Sequence, residues 1–508
     1  MCVLWSISMT AQFERNGVPV SWGLSQQSEL IASWEVLPSL NVSALLAEDQ
    51  QEVWDRSKPY RFASAVQTDF TTQNSGRWSN LLNGDRIWIL GIEVGSSYSI
   101  SVTLRNLNLP RGGKIYIYNE DHTDYLGPLT SRDNTSGFLG IPHMNGSRII
   151  IEYYEPYAYR GEGSFRIDHV AGSYRDLSDA TESSDISCYS PVIPVSSATG
   201  TSRVASSVLM MMVDYGQRIS TATMLNNSSS DATPYVLTAS SCLIGPASSW
   251  VFYFSMNQFR CSGLLSCELM ATSGATIVRN DSEQGLSLLK LLKAPPASWD
   301  TYYSGWSLSN SEVSSRLVSL HHAEALQLAS SEYHPSWTET TAGGASNINL
   351  ELSAAGRTFQ GSAGAPLFDN EWNLLGIFVG GDGGCNTEGQ DRFVLLSESW
   401  SAMRTYLDPL QIVQDKIQGI YPDQTFGDLQ TVEQEISFFP NPAEDWIFVH
   451  NESESRILEV VLMNVSGQII QTFQPTVPTI SIDGLPEGLY FIQFVTGKDR
   501  FTHQLMIR

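Results

Sequence analysis

From Tyr60 onward, apolar and polar residues alternate in short runs: RIWILGIEV (86–94), SYSISVTLRNL (97–107), KIYIYNE (114–120), RIIIEYYE (148–155) and GSFRIDHV (163–170). NGD, PRGG, NGS and YRGEG separate these runs. A period of two, broken by Gly-, Asn- and Pro-rich turns, marks strands with one buried face. Residues 12–180 are therefore predicted to form a β-sandwich or jelly roll. Residues 13–60 look irregular, with isolated tryptophans at 22, 34 and 54. The Ser-, Asp- and Pro-rich stretch 173–200 reads as a linker.

A second set of short strands fills residues 186–411, including SSVLMMMVDYG, RISTATMLNN, PYVLTASS, SWVFYFSMN, LSLLKLL and LLGIFVGG. A helix over 397–410, ended by Pro409, is predicted to close this part. Many short strands and one C-terminal helix suggest an all-β, barrel-like domain. Residues 412–433 read as a second linker. The tail, 434–508, holds seven short strands in under 80 residues, which fits a small immunoglobulin-like sandwich.

Composition narrows the function classes. Of 508 residues, 42% are hydrophobic and 16% charged, so several cores can form and wholesale disorder is excluded. Segments 12–185, 186–411 and 412–508 carry 22 acidic residues against 14 basic, 18 against 10, and 13 against 5, which is -8 in each. The acidity is spread along the whole chain. No basic face is available for nucleic acid or an anionic membrane. There is no uncharged apolar run of about 20 residues, so no membrane span is predicted. Glycine-rich nucleotide loops and HExxH are absent, and no Cys–His spacing suits zinc, so neither a cofactor nor a metal is expected. Met1 to Ala11 is short and apolar and ends in a small residue before Gln12. It reads as the end of an export signal cleaved after Ala11, with Cys2 leaving in it. No basic residue precedes it, so the expected start lies further upstream. The remaining five cysteines all lie in the middle segment: Cys188, Cys242, Cys261, Cys267 and Cys385. An odd number permits two bridges at most within the chain.

The middle segment resembles the lysyl-endopeptidase-like branch of chymotrypsin-fold serine proteases. The residues that carry the resemblance are YVLTASSC (235–242), GLSLLKL (285–291), SLHH (319–322), GSAGAPLF (361–368), LLGIFVGGDGGC (374–385) and the closing helix. The resemblance implies a double β-barrel, for an all-β chain of three parts. Active relatives need a serine nucleophile, a histidine to take and return its proton, and an aspartate to orient the histidine. At the corresponding positions this chain has Ala363, Ser241 and Gly285. All three members of the triad are replaced. Ser362, one residue before the nucleophile position, should point its side chain away from that of residue 363. Ser240 and Ser241 have no pKa near 7 and cannot serve as a base alone. His321 and His322 resemble a pair that active relatives also carry, which implies a structural role. His334 follows them, and His169 in the first domain is expected to be an ordinary satisfied histidine. The backbone N–H groups of Gly361 through Ala363, Gly361 and Ala363 above all, are left as a residual oxyanion hole.

The resemblance also fixes expectations for the pocket and the cysteines. The acidic position of a lysine pocket falls near Glu388 or Asp391. Its histidine contact falls at Val379 and its tryptophan contact near Thr341 or Ala342, so the pocket is expected to have lost its family character. Cys188–Cys385 matches one family bridge. The partner expected for Cys242 is replaced by Ser220, leaving Cys242 orphaned or paired anew with Cys261, while Cys261–Cys267 is the other choice. The first domain resembles a propeptide domain. No lysine lies between Lys114 and Lys290, so lysine-specific self-release is impossible, and Arg175 is the residue an arginine-specific protease would use. Retention of the first domain is the expectation.

FFPNPAED (438–445), VLMNVSGQII (461–470), IDGLPEGLYFIQFVTG (482–497) and HQLMIR (503–508) resemble the C-terminal sorting domain of the type IX secretion system of Bacteroidetes-type bacteria. That implies passage through the periplasm to the outer surface or medium, with the secretion machinery as a partner. Together these readings predict an exported pseudoprotease without peptidase activity that binds peptides, host proteins or glycans. A serine endopeptidase with a rewired site is the alternative.

Overall fold

The computed structural model describes residues 12–422 apart from 14, 16, 25–32, 52–54, 177–189, 191, 193–199, 256–268, 310–315, 325–327, 343–344, 353–355 and 383–388. Within 436–507 it describes the strands and fewer of the loops between them. The export signal, the Cys188–Cys385 pair, Cys261, Cys267 and Glu388 lie outside the described residues, as do the side chains of His334, Thr341 and Ala342. The chain divides into two compact units, Met1–Asp423 and Gln424–Arg508.

The alternating runs of the first domain become the strands Arg86–Val94, Ser99–Asn108, Lys114–Asn119, Arg148–Glu155 and Ser164–Ser173. They build two sheets whose apolar faces meet around Trp88, Leu90, Ile117, Ile151, Tyr153 and Ile167. The stretch that looked irregular is partly ordered. Ser33–Leu37 pairs parallel to Arg86–Val94, with the Trp34 ring lying over Gly91, where a Cβ would come within 2.5 Å of it. Val42–Asp49 is a helix whose first turn is capped by Asn41, its side chain accepting from the Ala44 N–H at 3.2 Å.

The core of the sandwich continues into the next domain. Met210, Met212, Ile219, Val251, Tyr253 and Ala271 pack in the same cluster as the sandwich residues. Tyr60–Arg61 adds a short strand to Arg218–Leu225. His143, buried, joins Ser99 to the Gly216 carbonyl at 2.9 and 2.8 Å. The sandwich and the first sheet of the next domain therefore share one core.

The middle segment folds into two sheets, antiparallel except where Trp306–Ser307 runs parallel to Leu374–Gly381. The first contains Val208–Val213, Arg218–Leu225, Tyr235–Ala239 and Leu286–Leu291. In the second, Pro366–Phe368 pairs both with Leu317–His321 and with Leu374–Gly381, so six strands close into a barrel. Leu237, Ala239, Cys242, Leu286 and Leu288 of the first pack against Leu320, Ala363, Phe368 and Ile377 of the second. The chain is thus all-β, with the architecture of the chymotrypsin fold. The closing helix is Trp400–Leu407, shorter than its pattern suggested. The expected linker starts later than 412, because Lys416–Ile417 pairs with Trp306–Ser307, and Ile420 bridges Tyr303. Among the described residues, the second unit has seven strands in sheets of three and four, around Ile447, Val460, Leu462, Ile492 and Phe494.

Candidate active site

The three positions singled out in the sequence come together in the seam between the two sheets. Ser240–Cys242 forms a single helical turn after the strand Tyr235–Ala239. The Ser240 N–H donates to the Gly285 carbonyl at 2.8 Å, and the Cys242 thiol donates to the Ala363 carbonyl at 3.5 Å. Ser241 is exposed and Ala363 fully buried. Gly285 has φ +90°, and a Cβ there would touch only Val379 Cγ1, at 3.7 Å. Ser240 and Ser287 share a hydrogen bond at 2.9 Å, and each hydroxyl lies 2.9 Å from Asn280 Oδ1. These groups are neutral hydroxyls and an amide. None of them takes a proton near pH 7.

The loop before residue 363 keeps a tight shape. Gly361 and Gly364 have φ +91° and +87°, and a Cβ on Gly364 would fall 2.0 Å from the Thr221 carbonyl. Only glycine fits there. Among the described residues, no acceptor lies on the N–H of Gly361 or Ala363. Both residues are buried, so these two N–H groups stand unengaged within the fold.

Ser362 points into the second barrel, away from Ser241. Its hydroxyl shares a hydrogen bond with His321 Nδ1 at 3.0 Å and accepts from the Phe359 N–H at 3.0 Å, while His321 Nε2 bonds Ser331 at 3.0 Å. Residue by residue, sequence reasoning did not find this Ser–His contact. Ser362, His321 and Ser331 are all fully buried. Burial, with repulsion from His322 and Arg56, pushes the His321 pKa down to about 3. An imidazole that weakly basic is a poor general base, and the serine is shut off from any substrate. His169 lies elsewhere, stacked on Tyr215 at 3.8 Å; its Nδ1 is 2.8 Å from Asp168 but makes no aligned hydrogen bond, so it is not the satisfied histidine expected.

Of the two candidate acids, Asp391 is the one the structure places. It sits on the strand Gln390–Leu395, opposite Gly381, and is fully buried. It accepts from Tyr333 at 2.8 Å and from Thr358 at 2.9 Å. Burial outweighs these bonds and the nearby Arg56 and raises its pKa to about 6. Val379, at the expected histidine contact, is half-buried. Cys242 is a free, buried thiol among the described residues, and the buried Ser220 hydroxyl makes no hydrogen bond to it. Burial raises its pKa, so it stays a thiol. Arg175 is less available to a protease than its sequence suggested, because its guanidinium holds Asp49 at 2.7 Å.

Two family models match the chain. One is the lysyl endopeptidase C-terminal domain, over residues 179–394. The other is the secretion system C-terminal sorting domain, over residues 437–508, which implies export and a place at the outer surface. Among the described residues, no helix is long and apolar enough to cross a membrane. Solved structures similar to parts of this chain include the inactive form of Rv3671c from M. tuberculosis H37Rv, a Ser-to-Ala mutant. It is 14% identical over 44% of this chain and 98% of that one, with a TM-score of 0.30. A scabies mite inactivated protease paralogue, S-I1, is 11% identical over 40% and 96%, at 0.29. The HtrA-type protease AlgW with a tripeptide is 13% identical over 61% and 96%, at 0.29. These scores do not bear on mechanism or substrate.

Proposed function

We propose that the chain is an exported pseudoprotease: a binding protein on an endopeptidase fold, with no peptidase activity of its own. The observation that carries this reading is the convergence of Ser241, Gly285 and Ala363 in one seam with no nucleophile, base or carboxylate among them. Loss of any one triad member leaves little catalysis, and here all three positions are substituted. The N–H groups of Gly361 and Ala363 would bind a carbonyl or carboxylate without reacting with it only where the loop opens, since both residues are buried here. Peptides, host proteins or glycans are the partner classes, reached at the outer surface after handling by the secretion machinery.

Among the described residues near the cleft, the Ser–His contact a rewired peptidase would draw on is Ser362–His321, and both residues are sealed from solvent. The test is cleavage of a mixed peptide library by the full chain, read by mass spectrometry from pH 5 to 9, beside the His321→Ala variant. No cleavage by either is expected. Cleavage by the wild type that His321→Ala abolishes would overturn the proposal.

A further inference from the structure

Between the helix Val42–Asp49 and the short strand Tyr60–Arg61 the chain makes a tight turn, Asp55–Lys58. Asp55 accepts from the Ser57 N–H at 3.2 Å and bonds the Ser57 hydroxyl, and Lys58 Nζ lies 3.3 Å from its carboxylate. The Lys58 N–H donates to the Asp55 carbonyl at 3.2 Å, and Pro59 then fixes its own φ. The turn rests on Gly380, where a Cβ would lie 3.4 Å from Ser57 Cβ and 3.0 Å from Arg392 Nη2. Ser57 and Arg392 thus share the space that a side chain at 380 would fill.

A cavity of about 420 Å³ opens here, lined by the turn with Gln51, Gly381 and Arg392. That volume suits a small-molecule ligand, for which about 300–1,000 Å³ is usual. The lining holds three cations, Arg56, Lys58 and Arg392, against one carboxylate, Asp55, on a chain whose net charge is -24. Two of these cations face a carboxylate already. Arg56 Nη1 donates to Thr358 at 3.3 Å and lies 3.6 Å from Asp391, which is not part of the lining, and Lys58 faces Asp55. Arg392 is exposed, and among the described residues its guanidinium has neither an ion pair nor a hydrogen bond. It is the cation this cavity offers to a ligand.

We propose that this cavity binds an acidic sugar, with the carboxylate on Arg392 and the hydroxyls on Gln51, Asp55 and Ser57. A guanidinium takes a carboxylate through two parallel hydrogen bonds. Asp55 accepts from hydroxyls and repels an anion, so it favours a ring that carries its charge at one end only. A phosphate, whose oxygens are chiefly acceptors, meets the same carboxylate unfavourably. No apolar side chain lines the cavity, so an apolar group would find nothing to pack on. This deepens the reading of the chain as a binding protein, rests on it, and selects glycans from its partner classes.

The test titrates the full chain with D-glucuronate, D-galacturonate and N-acetylneuraminate at neutral pH, by ligand-observed NMR and calorimetry. D-glucose, succinate and inorganic phosphate are the controls. At least one acidic sugar is expected to bind at millimolar concentration and more tightly than every control, and its binding should weaken several-fold as NaCl rises from about 0.05 to about 0.5 M. Arg392→Gln should weaken it about tenfold, as loss of a charge-assisted pair does. No binding by any acidic sugar, equal binding by Arg392→Gln, or a control that binds as tightly as the sugar would each overturn the inference. Should Arg392→Gln fail to fold, Lys58→Gln decides: a loss of about threefold is expected, and unchanged affinity would overturn the inference. Peptide cleavage would sink the pseudoprotease reading without changing any of these titrations.

Discussion

Replacing Ser220 by Cys should create a disulfide with Cys242. Both residues are fully buried, on the strand Arg218–Leu225 and the turn Ser240–Cys242, at the two positions the family bridge would join. The bridge would close a loop of about 20 residues. The chain-entropy relation then gives about 3 kcal/mol of added stability, less any strain from imperfect geometry. With a urea m-value of about 3 kcal/mol/M, that moves the unfolding midpoint of the first unit up by about 1 M. Intact mass would show two hydrogens lost relative to the reduced variant, and peptide mapping would join residues 220 and 242. Ser220→Ala and Ser220→Cys/Cys242→Ser serve as controls and should show no shift of this size. A folded Ser220→Cys chain whose two thiols stay reduced under oxidising conditions would refute the reasoning. Ser220 would then not face Cys242, and its placement at a lost bridge position would fall with it.

Two glycines of the cleft should respond differently to the same change. Gly285→Ala has room and suffers only from its φ of +90°, so a loss of about 1–2 kcal/mol is expected. Gly364→Ala would put a Cβ 2.0 Å from a backbone carbonyl and should cost more than about 4 kcal/mol, both read by urea melts. Burial holds His143 at a pKa of about 4, below its unfolded value. Its contribution is full above pH about 6.5 and is lost as pH falls toward about 4. Between pH 7 and 4.5, His143→Gln should therefore lose about 2.5 kcal/mol less stability than wild type. An equal loss in both would contradict that assignment. Limited trypsin digestion should cut after Arg175 slowly in wild type and several-fold faster in Asp49→Ala, which frees its guanidinium; equal rates would show that Asp49 does not protect the bond.

The strands were legible because period-two alternation and turn residues are local signals. Arg86–Val94 and Arg148–Glu155 fall at their predicted bounds. The helix Val42–Asp49 and the strand Ser33–Leu37 were not, because tertiary contacts define them: Trp34 over Gly91, and Asp49 bound by Arg61 and Arg175. The positions 241, 285 and 363 could be located by motif order. The contacts between Arg56 and Asp391, and between His321 and Ser362, could not, since each joins residues far apart in the chain by packing alone. The resemblance put the pocket acid at Glu388 or Asp391; Asp391 falls among the described residues and is fully buried, and Glu388 lies outside them.

The central claim is that the seam holds no activated nucleophile. Its most direct test is the intact mass of the full chain after incubation with excess fluorophosphonate at pH 8. An activated serine would displace fluoride and keep the phosphonyl group. The account predicts an unchanged mass, with an active serine endopeptidase in the same tube fully labelled. A stoichiometric adduct mapped to Ser241, Ser240 or Ser362 would contradict it.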